Sequence, residues 1–400
     1  MKKSSGIAIL AQSGGPTPVI NASLLGVVEE ARRYPEIGAV YGARFGIQGL
    51  LRDDLIDLTQ ESAATMESVG RTPSAALGTS RHELSEKELA GVLDSFRKYD
   101  VRFFFYNGGN GSMGIASQIH ALARQNGHEL RVIGIPKTID NDLLGTDHSP
   151  GYASAARFFA HAARDIGEDN RALPNQVEFI EVLGRNVGWL AAATTLARKS
   201  PDDAPHLTYY PEVPLPVEQL LEDVQRVYRR LGRCVVTVCE GQLNEAGQPF
   251  GADVRSGSRG SLAMNLGHRL AMLIAERLKI RARSEKPGLF ARSSASFISQ
   301  TDWEEARLCG RRAITAAIEG QTGKMVTLLR ESNSPYRART GLVDLETVAF
   351  AERPFPAEWR ASSDDDLMPA FREYAAPLVG EIASPPRLQG LPVKGLSALH

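Results

Sequence analysis

Three short apolar runs constrain this chain most: Gly6 to Ser13, Val101 to Tyr106 and Arg131 to Ile135, each stopped by a glycine-rich turn or a proline. A run such as VRFFFY has no polar face, which is how a strand buried on both sides of a parallel sheet reads. Helical patterns follow the first two runs, from about Asn21 to Tyr34 and from about Ser112 onward, and Ala39 to Arg44 reads as another strand. A second series begins with a helix over Ala153 to Asp165. It continues with a strand over Val177 to Leu183, a helix over Val217 to Leu231 and a strand over Cys234 to Cys239. This alternation predicts an α/β fold of two doubly wound, Rossmann-like parallel-sheet domains. Its length of 400 residues agrees, being more than one core normally serves. Asp202 to Pro216 reads as a loop holding a short strand, and Pro354 to Asp366 as irregular.

Charge removes several classes of function. Lys plus Arg (46) nearly cancels Asp plus Glu (47), so there is no general basic field and no nucleic-acid partner is expected. No apolar run approaches the ~18 residues of a membrane span. The opening lysines pass straight into a strand, without the apolar region of a secretion signal. Three cysteines form no CxxC pair, and two lie in an apolar run, which suits a reducing, cytoplasmic location.

Chemistry is concentrated at the strand ends. Gln12-Ser13-Gly14-Gly15 and Gly108-Gly109-Asn110-Gly111-Ser112 each stand between a strand and a helix, where backbone N–H groups can meet an anion. Either is also compatible with a simple tight turn. Leu77-Gly78-Thr79-Ser80-Arg81 sets a guanidinium beside hydroxyls, suited to phosphate oxygens or to a solvated loop. Pro136-Lys137-Thr138-Ile139-Asp140-Asn141-Asp142 is sharper, because it follows a strand at the sheet edge where ligands of α/β folds bind. Its carboxylates, amide, hydroxyl and ammonium supply a base, a metal or substrate contact, and a cation for a migrating phosphoryl group.

These segments, in this order, resemble the phosphofructokinase family. QSGGPTPVIN is similar to its first phosphate turn, FGIQGL to the segment that follows, GGNGS to its GGDGS turn and PKTIDND to its catalytic motif. Leu183-Gly184-Arg185, Glu240-Gly241, and Arg283 and Arg292 around Gly288 are similar to its sugar-phosphate contacts. The resemblance implies a 6-phosphofructokinase that moves a phosphoryl group from ATP, or alternatively from pyrophosphate, to the 1-hydroxyl of fructose 6-phosphate. Asp140 is then the base and Lys137 the cation over the transferred group. Gly15, Arg81, Gly109, Asn110, Gly111 and Ser112 contact the phosphoryl donor. Thr138, Ile139, Asp140, Leu183, Gly184, Arg185, Glu240, Arg283 and Arg292 contact the sugar phosphate, and Asn110 and Asp142 hold Mg²⁺. It further implies a donor domain of residues 1–151 plus about 289–345, a sugar-phosphate domain of 152–288 plus 346–400, and a homodimer or homotetramer.

The departures bear on mechanism. Asn110 replaces a metal-site aspartate, Gln176 an arginine presented to a neighbouring subunit, Leu289 a His or Tyr, and Ala291 a Gln. These motivate a minor alternative, a non-catalytic sugar-phosphate-binding regulatory subunit. Gly111 stands where pyrophosphate users carry an aspartate, which favours ATP, whereas Lys137 is the pyrophosphate-type residue. The expectation leans to ATP.

Overall fold

A computed structural model describes residues 6–389, apart from 174, 251–253, 256–260, 263–264, 362 and 364–365. The opening lysines, the end of the 346–400 segment and parts of Pro354 to Asp366 therefore lie outside the described residues. The first series comprises β1 (Gly6–Gln12), α1 (Ile20–Ala31), β2 (Ile37–Ala43), α2 (Ile47–Leu51), β3 (Leu55–Asp57), α3 (Ala63–Gly70), α4 (Glu86–Lys98), β4 (Val101–Gly108), α5 (Asn110–Gln125) and β5 (Arg131–Pro136). The second comprises α6 (Tyr152–Ala172), β6 (Gln176–Val182), α7 (Trp189–Thr194), β7 (Leu207–Thr208), α8 (Val217–Leu231), β8 (Cys234–Cys239), β9 (Val254–Arg255), β10 (Ser261–Leu262), α9 (Leu266–Leu278) and β11 (Arg281–Glu285). Then come α10 (Gln300–Ile318), β12 (Lys324–Asn333), β13 (Tyr336–Asp344), α11 (Leu345–Val348) and α12 (Pro369–Val379).

The first sheet has the order β13-β12-β5-β4-β1-β2-β3, and the second β11-β6-β8-β7. Both have the α/β character expected, and the second is parallel throughout. The first is mixed, because β3 and β13 run antiparallel to their neighbours. Edge strands β3, β11 and β13, and β12 beside β13, escaped the sequence reading. Strands at an edge bury less of themselves: RARSE alternates exposed and half-buried residues, YRARTGLVD has no fully buried residue, and neither carries a continuous apolar run.

Helices form where an apolar stripe can be buried and the ends are satisfied. In α8 Leu220, Leu221, Val224 and Val227 face the core, and Gly232 ends the helix in the left-handed conformation at φ 66°. In α4 Ser85 and Glu88 form a reciprocal capping box. Helix α10 returns to the first sheet and lies against α1 at a separation only glycine allows. A Cβ on Gly26 would sit 2.1 Å from the Arg307 carbonyl oxygen, and one on Gly310 2.1 Å from that of Ser23. Glu29 of α1 accepts from both Arg307 and Arg311 across this contact.

The same helix reaches the second core. Buried Asp302 in the first turn of α10 accepts from Gly151 N at 2.8 Å, Ser154 N at 2.9 Å and Ser154 Oγ at 2.6 Å. It thereby caps α6 from a distant part of the chain, where α6 has no side-chain cap of its own. Gly151 bridges Thr138, so this buried carboxylate braces the loop between β5 and α6.

Candidate active site

Strands β5, β4 and β1 are neighbours, so the loops leaving their C-terminal ends meet at one edge. The Gly14-Gly15 turn follows β1, with Gly14 at φ 78°. Ser13 bridges Ser80, and Gly14 N donates to the Ser80 carbonyl at 3.0 Å, which ties the loop bearing Arg81 to this turn. Ser112 Oγ donates to Ser13 Oγ at 2.9 Å, joining the turn after β4 to the turn after β1. A Cβ on Gly108 would come within 2.1 Å of Ser112 Oγ, so a side chain there would break that link. At Gly111 the Cβ direction meets nothing within 4 Å. One helical turn on, a Cβ at Gly114 would lie 2.3 Å from the ring of Phe350.

The loop after β5 closes the group. Buried Lys137 donates from Nζ to the Gly15 carbonyl at 2.6 Å. The Thr138 hydroxyl accepts from Asp140 N at 3.0 Å, a local turn that sets the direction of the backbone at Asp140. The Asp140 carboxyl is pushed up to about 7, first by burial and then by the charges of Asp142 and Glu240, with Lys137 opposing. Burial also raises Asp142, and the Thr138 hydroxyl and Lys137 offset part of that. Asn110 Nδ2 donates to Asp142 Oδ2 and to the Ala351 carbonyl, each at 3.2 Å, while its Oδ1 accepts from Gly111 N at 2.8 Å. Asp142 Oδ1 is buried with no donor in hydrogen-bonding geometry.

Two members of the motif face elsewhere. Ile139 packs its side chain into the core of the second sheet. Asn141, at φ 58°, donates to Tyr374 Oη at 2.9 Å and accepts from Ser149 N at 3.0 Å. The amide that the sequence reading counted among possible contacts therefore braces α12.

The second sheet supplies the opposite wall. Glu240 follows β8, and a Cβ on Gly241 would stand 1.6 Å from the Arg185 carbonyl oxygen, so glycine lets the Leu183-Gly184-Arg185 loop lie against it. Burial raises the Glu240 carboxyl; Lys286, Arg185 and Arg292 pull it down, and Glu181 adds to the rise. Arg292 is lowered by burial and by neighbouring Arg81, and supported by Glu240 and Asp140. It therefore stands between the Arg81 side and the Glu240 side, with its Nη1 3.1 Å from where a Gly15 Cβ would be. Arg283 is not brought here: it is exposed on edge strand β11, in register with Glu178. Leu289 and Phe290 are exposed, and Ala291 is buried.

Two participants, Lys286 and Glu352, carried no sequence signal. Lys286, beside Glu240, is held by the buried Glu181 carboxylate. Glu352 adds negative charge at Asp140 and Asp142, and Asn186 Nδ2 grips its two oxygens at 2.8 and 3.0 Å. Both lie far from the motif in sequence, within ERPFP and SEKPG, short segments with no glycine-rich turn before them to mark a site. Among the described residues no group of three His, Cys, Asp or Glu side chains is arranged to hold a metal, and no helix is long and apolar enough to cross a membrane.

The family described as Phosphofructokinase matches residues 6–317, which contain both glycine-rich turns, the 136–142 loop, Glu240 and Arg292. The chain belongs to the phosphofructokinase family. It is 38% identical over 384 residues to a pyrophosphate–fructose 6-phosphate 1-phosphotransferase of Rhodospirillum rubrum, covering 94% of each chain. It is 36% identical to the enzyme of the same name from Xanthomonas campestris pv. campestris, over 97% of this chain and 95% of that one. A crystal structure of a pyrophosphate-dependent phosphofructokinase from Marinobacter aquaeolei superposes with a TM-score of 0.85 at 34% identity, covering 97% of this chain and 95% of that one. Like other phosphofructokinases it is an α/β enzyme, a phosphotransferase with an alcohol acceptor. The names of these relatives favour pyrophosphate over the ATP that Gly111 led the sequence reading to prefer.

Proposed function

We propose that this protein is a pyrophosphate-dependent fructose 6-phosphate 1-phosphotransferase, and that Asp140 is its general base. One observation carries the reading: a carboxyl pushed up to about 7 lies between the Lys137–Gly15 contact on one side and Glu240 with Arg292 on the other. A group with that affinity for a proton accepts one readily near neutral pH. The 1-hydroxyl of the sugar gives its proton to Asp140 as its oxygen attacks a phosphorus of pyrophosphate. The bond from that phosphorus to the bridging oxygen breaks, inorganic phosphate leaves, and fructose 1,6-bisphosphate remains. Lys137 and Arg81 offset the charge on the moving phosphoryl group and its partners.

Backbone groups of Gly15, Gly109, Asn110, Gly111 and Ser112 hold the phosphoryl donor in this scheme. Thr138, Ile139, Leu183, Gly184, Arg185, Glu240 and Arg292 hold the sugar phosphate, Ile139 and Gly184 through their backbone. The unpartnered Asp142 Oδ1 fits a divalent cation, with Asn110 Oδ1 as a second oxygen, and Mg²⁺ accepts so few protein ligands because substrate phosphates and water complete its shell. Such an ion would neutralise charge on the donor phosphates.

We assign residues 1–151 with 289–345 to a donor domain and 152–288 with 346–400 to a sugar-phosphate domain; the largely separate apolar cores of the two sheets favour this division, with Ile139 and Ala291 packing into the second core and Val348 into the first. Arg283, exposed on its edge strand, suits a homodimer or homotetramer in which it serves a neighbouring subunit. The three free, buried cysteines suit the cytoplasm.

The test is a coupled assay of the purified chain with fructose 6-phosphate and either pyrophosphate or Mg·ATP. Turnover with pyrophosphate, and kcat/KM for ATP lower by about 10² or more, is expected. Turnover on ATP alone removes the donor assignment, and turnover on neither favours the regulatory-subunit reading.

A further inference from the structure

Phe350 has three unusual features. It is 69% exposed although large and apolar, its backbone is at φ 58°, and its ring lies on the helix that opens at the phosphate turn. Aromatic residues rarely adopt positive φ, and one that does is held there by its surroundings. The surroundings are visible: the next residue, Ala351, accepts from Asn110 Nδ2 at 3.2 Å, Glu352 is gripped by Asn186, and Arg353 N donates to the Asp142 carbonyl at 2.7 Å. The segment is thus fastened at three successive residues, to the phosphate turn, to Asn186 in the loop after β6, and to the 136–142 loop. Phe350 has no such fastening of its own, and its ring is laid across Gly114.

Gly111 and Gly114 are three residues apart on α5, hence on one face and about 4.5 Å apart along the axis. Space is open beyond Gly111, whereas the ring occupies the space beyond Gly114, 2.3 and 2.4 Å from where its Cβ would be. Pyrophosphate ends at its second phosphoryl group. A nucleoside triphosphate held by the same turn would continue with a further phosphate, a ribose and a base, and the next position along the Gly111 face of α5 is Gly114, where the ring lies.

We propose that Phe350 is a donor-selecting residue, whose ring fills the place over Gly114 that the nucleoside of a nucleotide donor needs. Discrimination then comes from excluded volume rather than from a repelling carboxylate at position 111. This rests on the proposed use of pyrophosphate, and it accounts for a glycine at position 111 in a pyrophosphate-using enzyme.

The experiment compares the wild type with Phe350→Ala and Phe350→Leu, using ADP as a competitor of pyrophosphate and Mg·ATP as an alternative phosphoryl donor. In Phe350→Ala the inhibition constant of ADP should fall, and kcat/KM for ATP rise, by at least about tenfold, with kcat/KM for pyrophosphate within about threefold of wild type. Phe350→Leu keeps most of the volume and should stay close to wild type. Because the side chain is exposed, both variants should melt with the wild type, which a thermal scan checks. Unchanged ADP inhibition in Phe350→Ala overturns the proposal, as does weaker ADP binding, which would make the ring a stacking surface. A Leu variant that behaves like the Ala variant also overturns it. The wild-type donor assay reports on pyrophosphate use separately: an enzyme confined to pyrophosphate whose Phe350→Ala variant gains nothing keeps its function and loses this explanation.

Discussion

The side-chain amide of Asn110 donates to Asp142 Oδ2 at 3.2 Å, so an amide and a carboxylate share a position where two carboxylates would repel. Asn110→Asp replaces that hydrogen bond, and the one to the Ala351 carbonyl, with like-charge contact beside two carboxyls already raised by burial. Without divalent metal the variant should lose stability by about 1–3 kcal/mol. Added Mg²⁺ should recover it, with a larger rise in Tm than in the wild type. Equal Mg²⁺ responses in the two proteins, read by differential scanning fluorimetry, would remove Asn110 and Asp142 as a metal site.

Asp140→Asn should lower kcat by roughly 10²–10⁴ while keeping the fold. Its effect on stability should have the opposite sign. A carboxyl whose pKa rises from 3.8 unfolded to about 7 folded binds its proton more tightly in the native state, so its contribution falls as pH rises from about 4 to 7. At pH 8 the asparagine variant should therefore melt higher than the wild type, and a lower Tm there would contradict the buried-base assignment.

The pH dependence of kcat/KM for fructose 6-phosphate should show activity lost below an apparent pKa near 7, as Asp140 becomes protonated. Glu352 contributes negative charge there while its own carboxylate is held by Asn186. Glu352→Gln should move this limb to lower pH and leave the plateau in place. An unmoved limb would take Glu352 out of the electrostatics of the base.

Buried His148 bridges Asp147 at 2.8 Å and Glu305 at 2.6 Å, and its pKa is pushed up to about 9 by Glu305 and Asp147 against the effect of burial. Burial acts on it first and downward, and the two carboxylates more than reverse it. Raised from 6.5, it gives its full contribution below about pH 6.5, and this is lost as pH passes through 9, to the extent of about 3 kcal/mol. Tm of the wild type should fall over this range, and that of His148→Gln should fall less steeply. Parallel curves would show that the imidazolium is not what holds α10 to the loop.

Arg292→Ala should raise KM for fructose 6-phosphate at least about tenfold, by loss of a charge-assisted hydrogen bond to a group that does not react. Arg283→Ala should do so only through a neighbouring subunit. Co-refolding Arg283→Ala with Asp140→Asn should then restore activity, because the site that keeps Asp140 receives Arg283 from the other chain. Arg292→Ala with Asp140→Asn should restore none, since each site draws both residues from its own chain and so keeps one defect. Absence of complementation in the first pair, with a mixed oligomer verified, would place Arg283 outside the site.

Local sequence determined the central strands, the turns after them and the place of the candidate site. A run such as VRFFFY can be buried only inside a sheet, and its glycine-rich exit cannot continue it, so the strand-turn-helix order and the edge bearing Lys137, Asp140 and Asp142 were legible residue by residue. What surrounds those residues was decided by contacts between distant parts of the chain. Asp302 capping α6, Arg353 fastened to the Asn141 carbonyl, Lys286 beside Glu240 and the ring of Phe350 on Gly114 each join segments far apart in sequence. The edge strands were hidden for a related reason, since a half-exposed strand carries too few apolar residues to announce itself. The raised pKa of Asp140 is the plainest case: its causes are burial, Asp142, Glu240 and Glu352, and of these only Asp142 is near it in the sequence. Desolvation and charge act through space, and the tertiary structure alone sets those distances.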